Sequence, residues 1–257
     1  MIKYLKNEIL VTSKNIAERV NSARINEEDI KNVEFIEYID NELDSYNIEF
    51  SNIIFKNCIC QNSNFNKAEF TNVIFENCDF SNCDFSEASF IKTKIKNCKF
   101  IGSNFTESII YDTEILESIF EYANLSNTKC KNLKIENSNF QVVSINQSNL
   151  TESIIYDTEI IESIFEYANL SNTKCKNLKI ENSNFQVVSI NQSNLNQLIL
   201  NNVNFQKSQF FKTKLNKIDF TTCNISGITV DINDLKGMIV NEYQALELSN
   251  LLGIVIR

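Results

Sequence analysis

Eight cysteines, a large excess of carboxylates and the absence of histidine set the chemistry open to this chain of 257 residues. Cys58, Cys60, Cys78, Cys83 and Cys98 come close together in sequence, and thiolates can serve as nucleophiles or soft metal ligands. Cys58-x-Cys60 lacks zinc-knuckle spacing and has no partner pair. Asp79, Asp84 and Glu87 could act as acids or bases, but no His-based triad or His metal site can form. Only 4 Gly are present, so no phosphate-cradling loop is encoded. The residues therefore predict a non-enzyme with no catalytic, cofactor or metal-binding residues.

The spacing of the apolar residues explains where the cysteines belong. From Phe50 to Ile225, every residue whose number divides by five is Phe, Ile, Leu or Cys. Of 19 Phe, 17 lie on this column; Phe35 is in phase upstream and Phe211 is out of phase. A second column sits two residues earlier, running from Ile53 and Cys58 to Cys223, small or apolar and never charged. The predicted core comprises Phe50, Phe55, Phe65, Phe70, Phe75, Phe80, Phe85, Phe90, Phe100, Phe105, Phe120, Phe140, Phe165, Phe185, Phe205 and Phe220, with Cys58, Cys78 and Cys98 at its corners. All eight cysteines fall on the two columns, which makes them small apolar fillers.

A period of five fits neither helix nor plain strand. It would smear around a helical cylinder, and an odd stride alternates the faces of a strand. A very short strand can point two residues inward, at i−2 and i, if the chain then turns a corner. Repeated corners of one hand stack coils into a parallel β-solenoid.

Ala123-Asn124-Leu125, Ser103-Asn104-Phe105 and Cys78-Asp79-Phe80 resemble the motif of the pentapeptide-repeat family, Ala-Asp/Asn-Leu-X-X, over about 180 residues without a break. The resemblance implies an all-β fold: a right-handed, four-sided parallel β-solenoid of about nine coils, with short helical caps. Spacing alone leaves a three-sided coil open.

Residues 106–150 and 151–195 are identical except for Leu116 against Ile161. Such identity reads as a deliberate lengthening of a shorter parent, because repeat arrays accept whole-unit insertion easily; the alternative is a very recent duplication, for which the conservative Leu/Ile difference is the evidence. Each block holds nine pentapeptides, two coils plus one side. On a four-sided rod everything beyond the first block should be rotated by a quarter turn, placing Tyr111 and Tyr156 on adjacent faces.

The domain reading is a cap over 1–45, a solenoid over 46–230 and a C-terminal segment over 231–257. Ser13 is expected to cap a helix over Lys14–Ala23, and Asn241 a helix from Glu242 to Leu252, ended by Gly253. Leu246, Leu248, Leu252, Ile254 and Ile256 form a candidate dimer contact. The C-terminal segment also resembles the dimerising ends of relatives that bind DNA gyrase and protect it from quinolones.

The net charge of −9 argues against direct nucleic-acid or anionic-membrane binding. No apolar run approaches bilayer-spanning length, and residues 1–12 do not read as a secretory signal, so a cytoplasmic location is expected. The main functional reading is a non-catalytic scaffold for protein interaction. The alternative is a DNA mimic that binds gyrase; residues 46–230 carry 19 acids and 16 bases, so the continuous negative surface it needs is broken by basic bands.

Overall fold

In the computed structural model, which describes residues 11–141, 143 and 153–253, the chain forms a parallel solenoid of about nine turns. Paired positions are 20 residues apart: Phe50 aligns with Phe70 and Phe70 with Phe90. Four pentapeptides thus make one coil, which rejects the three-sided alternative. Two sides carry short strands, such as Glu69–Thr71 and Ile74–Glu76. The other two carry single bridges, such as Ile59 to Asp79 and Asn64 to Asp84.

The inward columns pack as stacked rings. Phe80, Phe100, Phe120, Phe140, Phe165 and Phe185 form one continuous pile with centroids 4.7 to 5.6 Å apart. All sixteen expected core phenylalanines and Cys58, Cys78 and Cys98 are buried. Each buried Phe side chain stabilises by about 1.5–3 kcal/mol.

The small i−2 residues do more than fill space. The Cys58 amide donates to Cys78 Sγ, the Cys78 amide to Cys98 Sγ and the Cys98 amide to Ser118 Oγ. The relay continues through Ser138, Ser163 and Ser183. A side chain on one coil therefore satisfies a buried N–H of the coil before it, which an unpaired amide would make costly.

The corners are made by a position that the columns do not mark. Every described residue numbered 5n+2 from Glu27 to Lys217, Gly102 included, has a left-handed φ between 49° and 79°. Asn tolerates that region best among side-chain-bearing residues. Its amides also form ladders up the rod: Asn72 donates to Asn52 at 2.6 Å, and Asn97 to Asn77 at 2.8 Å. Val187 occupies the same corner at φ 58°, where a β-branched side chain is strained by about 1–2 kcal/mol. Val187→Asn is expected to raise stability by about 1 kcal/mol, seen as a melting-temperature gain of about 2–4 °C. A lower melting temperature would contradict this strain.

The duplicated block does not rotate the rod. Lys129 pairs with Ile154, Lys134 with Glu159 and Asn139 with Ile164, all 25 residues apart, before the spacing returns to 20. The pairing across this one coil therefore spans five pentapeptides. Tyr111 aligns with Lys131 and Lys131 with Tyr156, so positions 111 and 156 stand in one register column, contrary to the sequence expectation. The core supplies the reason. A uniform spacing of 20 would set Ile160 over Phe140, whereas 25 places Phe165 there, stacked at 4.9 Å and 3°. Such a ring pair is worth about 0.5–1.5 kcal/mol beyond its buried area.

Both ends differ in detail from expectation. The ladder begins at Ile30, which aligns with Phe50, rather than at residue 46. The columns hide this turn because Asp40 and Ser45 hold central positions. Asp40 accepts a hydrogen bond from the hydroxyl of buried Tyr38 at 2.6 Å. Strand β1 (Val11–Ser13) adds to β2 (Ile30–Ile36). Between them, helix α1 spans Ile16–Asn26 and is capped by Asn15, whose side chain accepts from the Glu18 amide; Ser13 is not the cap. Ile16, Val20 and Ala23 cover the core opening.

At the other end, Asn241 caps α2 (Glu242–Ser249) through a reciprocal box with Gln244. A 3-10 turn, Asn250–Leu252, ends at left-handed Gly253. Gln244 is buried and donates to the carbonyls of Phe220 and Cys223 at 2.8 and 2.7 Å. A polar residue thus closes the last coil by satisfying carbonyls that no further coil receives. Asp219 still bridges to Ile239, so the coiled path runs past residue 230.

Candidate interaction surface

The groups with chemical potential are committed to structure. All eight cysteines are unpaired and buried. Burial pushes the thiols of Cys83, Cys130 and Cys175 up to about 12. The Cys58 thiol is raised further by its hydrogen bond to Cys78 and by burial. These thiols are protonated at neutral pH and poor nucleophiles. Among the described residues no cluster of three Cys, Asp or Glu could hold a metal ion.

The outward carboxylates serve the turns. Asp79 Oδ1 accepts from the Ser81 amide and hydroxyl at 3.0 and 2.6 Å. Asp84 does the same for Ser86. Glu87 pairs with Lys67 across one coil at 3.6 Å. Asx turns of this kind explain why Asn or Asp recurs before central residues such as Phe65, Phe80, Phe85 and Phe105.

Inside the rod, a cavity of about 60 Å³ is lined entirely by apolar groups where Ile, Leu and Cys replace Phe, around Cys130, Leu133, Ile155 and Leu178. Outside, a groove of about 870 Å³ follows the corner past Asn72, Lys92, Asp112, Asn132 and Asp157.

The charges on the two strand-bearing sides form rows, one per coil; the rows at 49–56, with Glu49 and Lys56, and at 194–201 have no net charge, and six charged rows lie between them. The first row, 69–76, carries Glu69 and Glu76; the second, 89–96, carries Lys92, Lys94 and Lys96. The third, 109–116, carries Asp112 and Glu114. The fourth, 129–136, has Lys129, Lys131 and Lys134 against Glu136. The fifth, 154–161, has Asp157 and Glu159, and the sixth, 174–181, has Lys174, Lys176 and Lys179 against Glu181. Row by row the net charge is −2, +3, −2, +2, −2, +2. The coil of 25 residues preserves this alternation across the duplication. Lys94 pairs with Glu114 of the next row at 3.4 Å, while Lys134 and Lys179 pair within their own rows.

The described residues include only part of the candidate dimer contact. Leu246 is exposed, but Leu248 packs against the core. Leu252 takes part in the 3-10 turn, and Ile254 and Ile256 lie outside the described residues. Sequence reasoning missed Gln244, whose only signal was its place three residues after Asn241, and the corner residues, whose signal was Asn and Gly recurring in one phase.

Models of pentapeptide-repeat families match residues 48–118 and 73–150, and a run of eight repeats over 189–227. The chain belongs to the pentapeptide-repeat family. No curated protein matches this pentapeptide-repeat chain. Among solved structures it is similar to a trypsin-treated variant of QnrB1, a plasmid-mediated fluoroquinolone resistance protein, at 17% identity and TM-score 0.47, covering 89% of this chain and 99% of that one. It is also similar to HetL, a pentapeptide repeat protein involved in heterocyst differentiation regulation from the cyanobacterium Nostoc sp. strain PCC 7120, at 13% identity and TM-score 0.44, covering 90% and 98%. A mannuronic acid specific polysaccharide lyase from human gut microbiota is similar at 11% identity and TM-score 0.34, covering 81% and 68%. No helix among the described residues is long and apolar enough to cross a membrane.

Proposed function

We propose that this pentapeptide-repeat protein is a non-catalytic scaffold that works by presenting its outer faces to protein partners. The observation that carries this reading is the commitment of its reactive groups: thiols sealed in the core, and carboxylates spent on turns and ion pairs. The alternating charge rows support the scaffold over the gyrase-binding DNA mimic. A duplex presents unbroken negative charge along its length, whereas here three of six rows are positive.

A supercoiling assay with purified gyrase tests the choice. The scaffold reading expects no inhibition of supercoiling and no relief of quinolone-induced cleavage at micromolar protein. Protection of gyrase in that assay would overturn it in favour of the DNA mimic. The exposed Leu246 and Tyr243 on α2 are the groups that an end-to-end dimer would use in the second reading.

A further inference from the structure

We infer that the two strand-bearing sides form a self-complementary surface for a second copy of this chain, docked side by side with the two rods running in opposite directions. The argument begins with the six charge rows. Their signs alternate strictly, and the number of rows is even. A two-fold axis perpendicular to the rod, passing between the third and fourth rows, exchanges row three with four, two with five, and one with six. Each exchange places a negative row against a positive one. Rods lying parallel and level would set like charge on like charge, so the pattern selects one orientation. Isologous contacts of this kind close on themselves and do not propagate.

Neutralisation within the chain does not exhaust these charges. Lys92, Lys129, Lys131 and Lys176 are exposed and form no ion pair with any described residue, although acidic rows lie one coil away. The acids of row three are also accessible: Glu114 keeps 42% of its side chain exposed while holding Lys94. Between the charges, Ile91, Ile109, Tyr111 and Leu116 are half-buried and give the face apolar area.

Six rows at about 4.8 Å span about 29 Å. With side chains about 20 Å across, each copy contributes roughly 600 Å², the small end of specific interfaces. Charge complementarity of this kind sets orientation and association rate more than affinity. The result is a weak dimer, held at tens of micromolar and lost in salt. The five-pentapeptide coil is essential to it, because it keeps rows five and six in phase with rows three and four.

Sedimentation equilibrium of the full chain at tens of micromolar, in about 25 mM and about 500 mM NaCl, reads the dimer directly. A dimer at low salt, weakened at least about tenfold at high salt, is expected. Two variants carry the test further: Asp112→Lys with Glu114→Lys, which makes row three basic, and Lys129→Glu with Lys131→Glu and Lys134→Glu, which makes row four acidic. Each alone should be monomeric. Mixed in equal amounts they should form a heterodimer, because the basic row three of one meets the acidic row four of the other. Circular dichroism establishes that both retain the solenoid. If either does not, carbodiimide cross-linking of a mixed ¹⁴N/¹⁵N sample of the unmodified chain decides, with intermolecular links between Glu114 and Lys129 or Lys134 expected. A monomer at all salt concentrations would overturn the proposal. So would a dimer that survives both variants, and so would one that Leu246→Glu alone abolishes, which would place the contact at the rod's end.

Discussion

A variant lacking residues 145–149 is expected to fold into the same rod, with a melting temperature within a few degrees of the parent. A variant lacking Ser118–Tyr122, an equally long unit, should lose about 3–5 kcal/mol and melt about 10 °C lower or more. The contrast follows from the register. Positions 130 and 155 pair across 25 residues, so one pentapeptide in that coil is surplus to the four sides. Removing it leaves every stack of the described core intact, including Phe140 on Phe165. Residues 118–122 hold Phe120, which stacks on Phe100 at 4.9 Å and on Phe140 at 4.7 Å. Their loss puts Leu125 against Phe100 and turns one half of the rod against the other by a side. Thermal melts of both deletions check this. Equal destabilisation by the two would show that the surplus unit is not where the pairing places it.

Alkaline unfolding should be steep and should depend on the buried thiols. Cys83, Cys130 and Cys175 ionise near 12 in the folded protein because burial penalises the thiolate. In the unfolded chain they return to about 8.5. The folded state therefore holds these protons more tightly, and the stability this brings is complete below about pH 8.5 and lost as pH rises toward 12. At pH 11 each such thiol has cost about 3 kcal/mol relative to neutral pH, so the three together approach the total stability of an ordinary domain. Urea unfolding at pH 7 and pH 11 measures the loss. Cys130→Val with Cys175→Val should recover about 6 kcal/mol of it, since both side chains sit in apolar columns between Ile110, Ile155 and Leu195. A pH dependence identical in parent and variant would exclude the thiols as its cause.

Much of this molecule was legible because its core is one-dimensional. An inward pair repeated every five residues leaves one way to hide both columns, and the buried Phe, Ile and Leu residues from Phe50 to Ile225 are the same residues the spacing picks out. The first coil was not legible, since Asp40 and Ser45 sit where apolar residues were sought and Tyr38 bonds Asp40 from inside. The left-handed corners were written in the recurring Asn and Gly of one phase, but a pattern sought only in apolar residues passes over them.

Four-sided stacking and the fate of the odd pentapeptide belong to the tertiary structure. Counting units predicts a quarter-turn at the duplication; ring stacking prefers a longer coil, because Phe165 over Phe140 preserves a pile that Ile160 would interrupt. The surface follows the same logic. Lys, Asp and Glu are scattered along the chain at intervals with no obvious rule, and only the register of 20, 20 and 25 brings them into rows of alternating sign. Local sequence decides which residues turn inward, since that is a matter of spacing and solvent. Which coil lies above which is decided by contacts between residues 20 or 25 apart, and those exist only once the rod has closed.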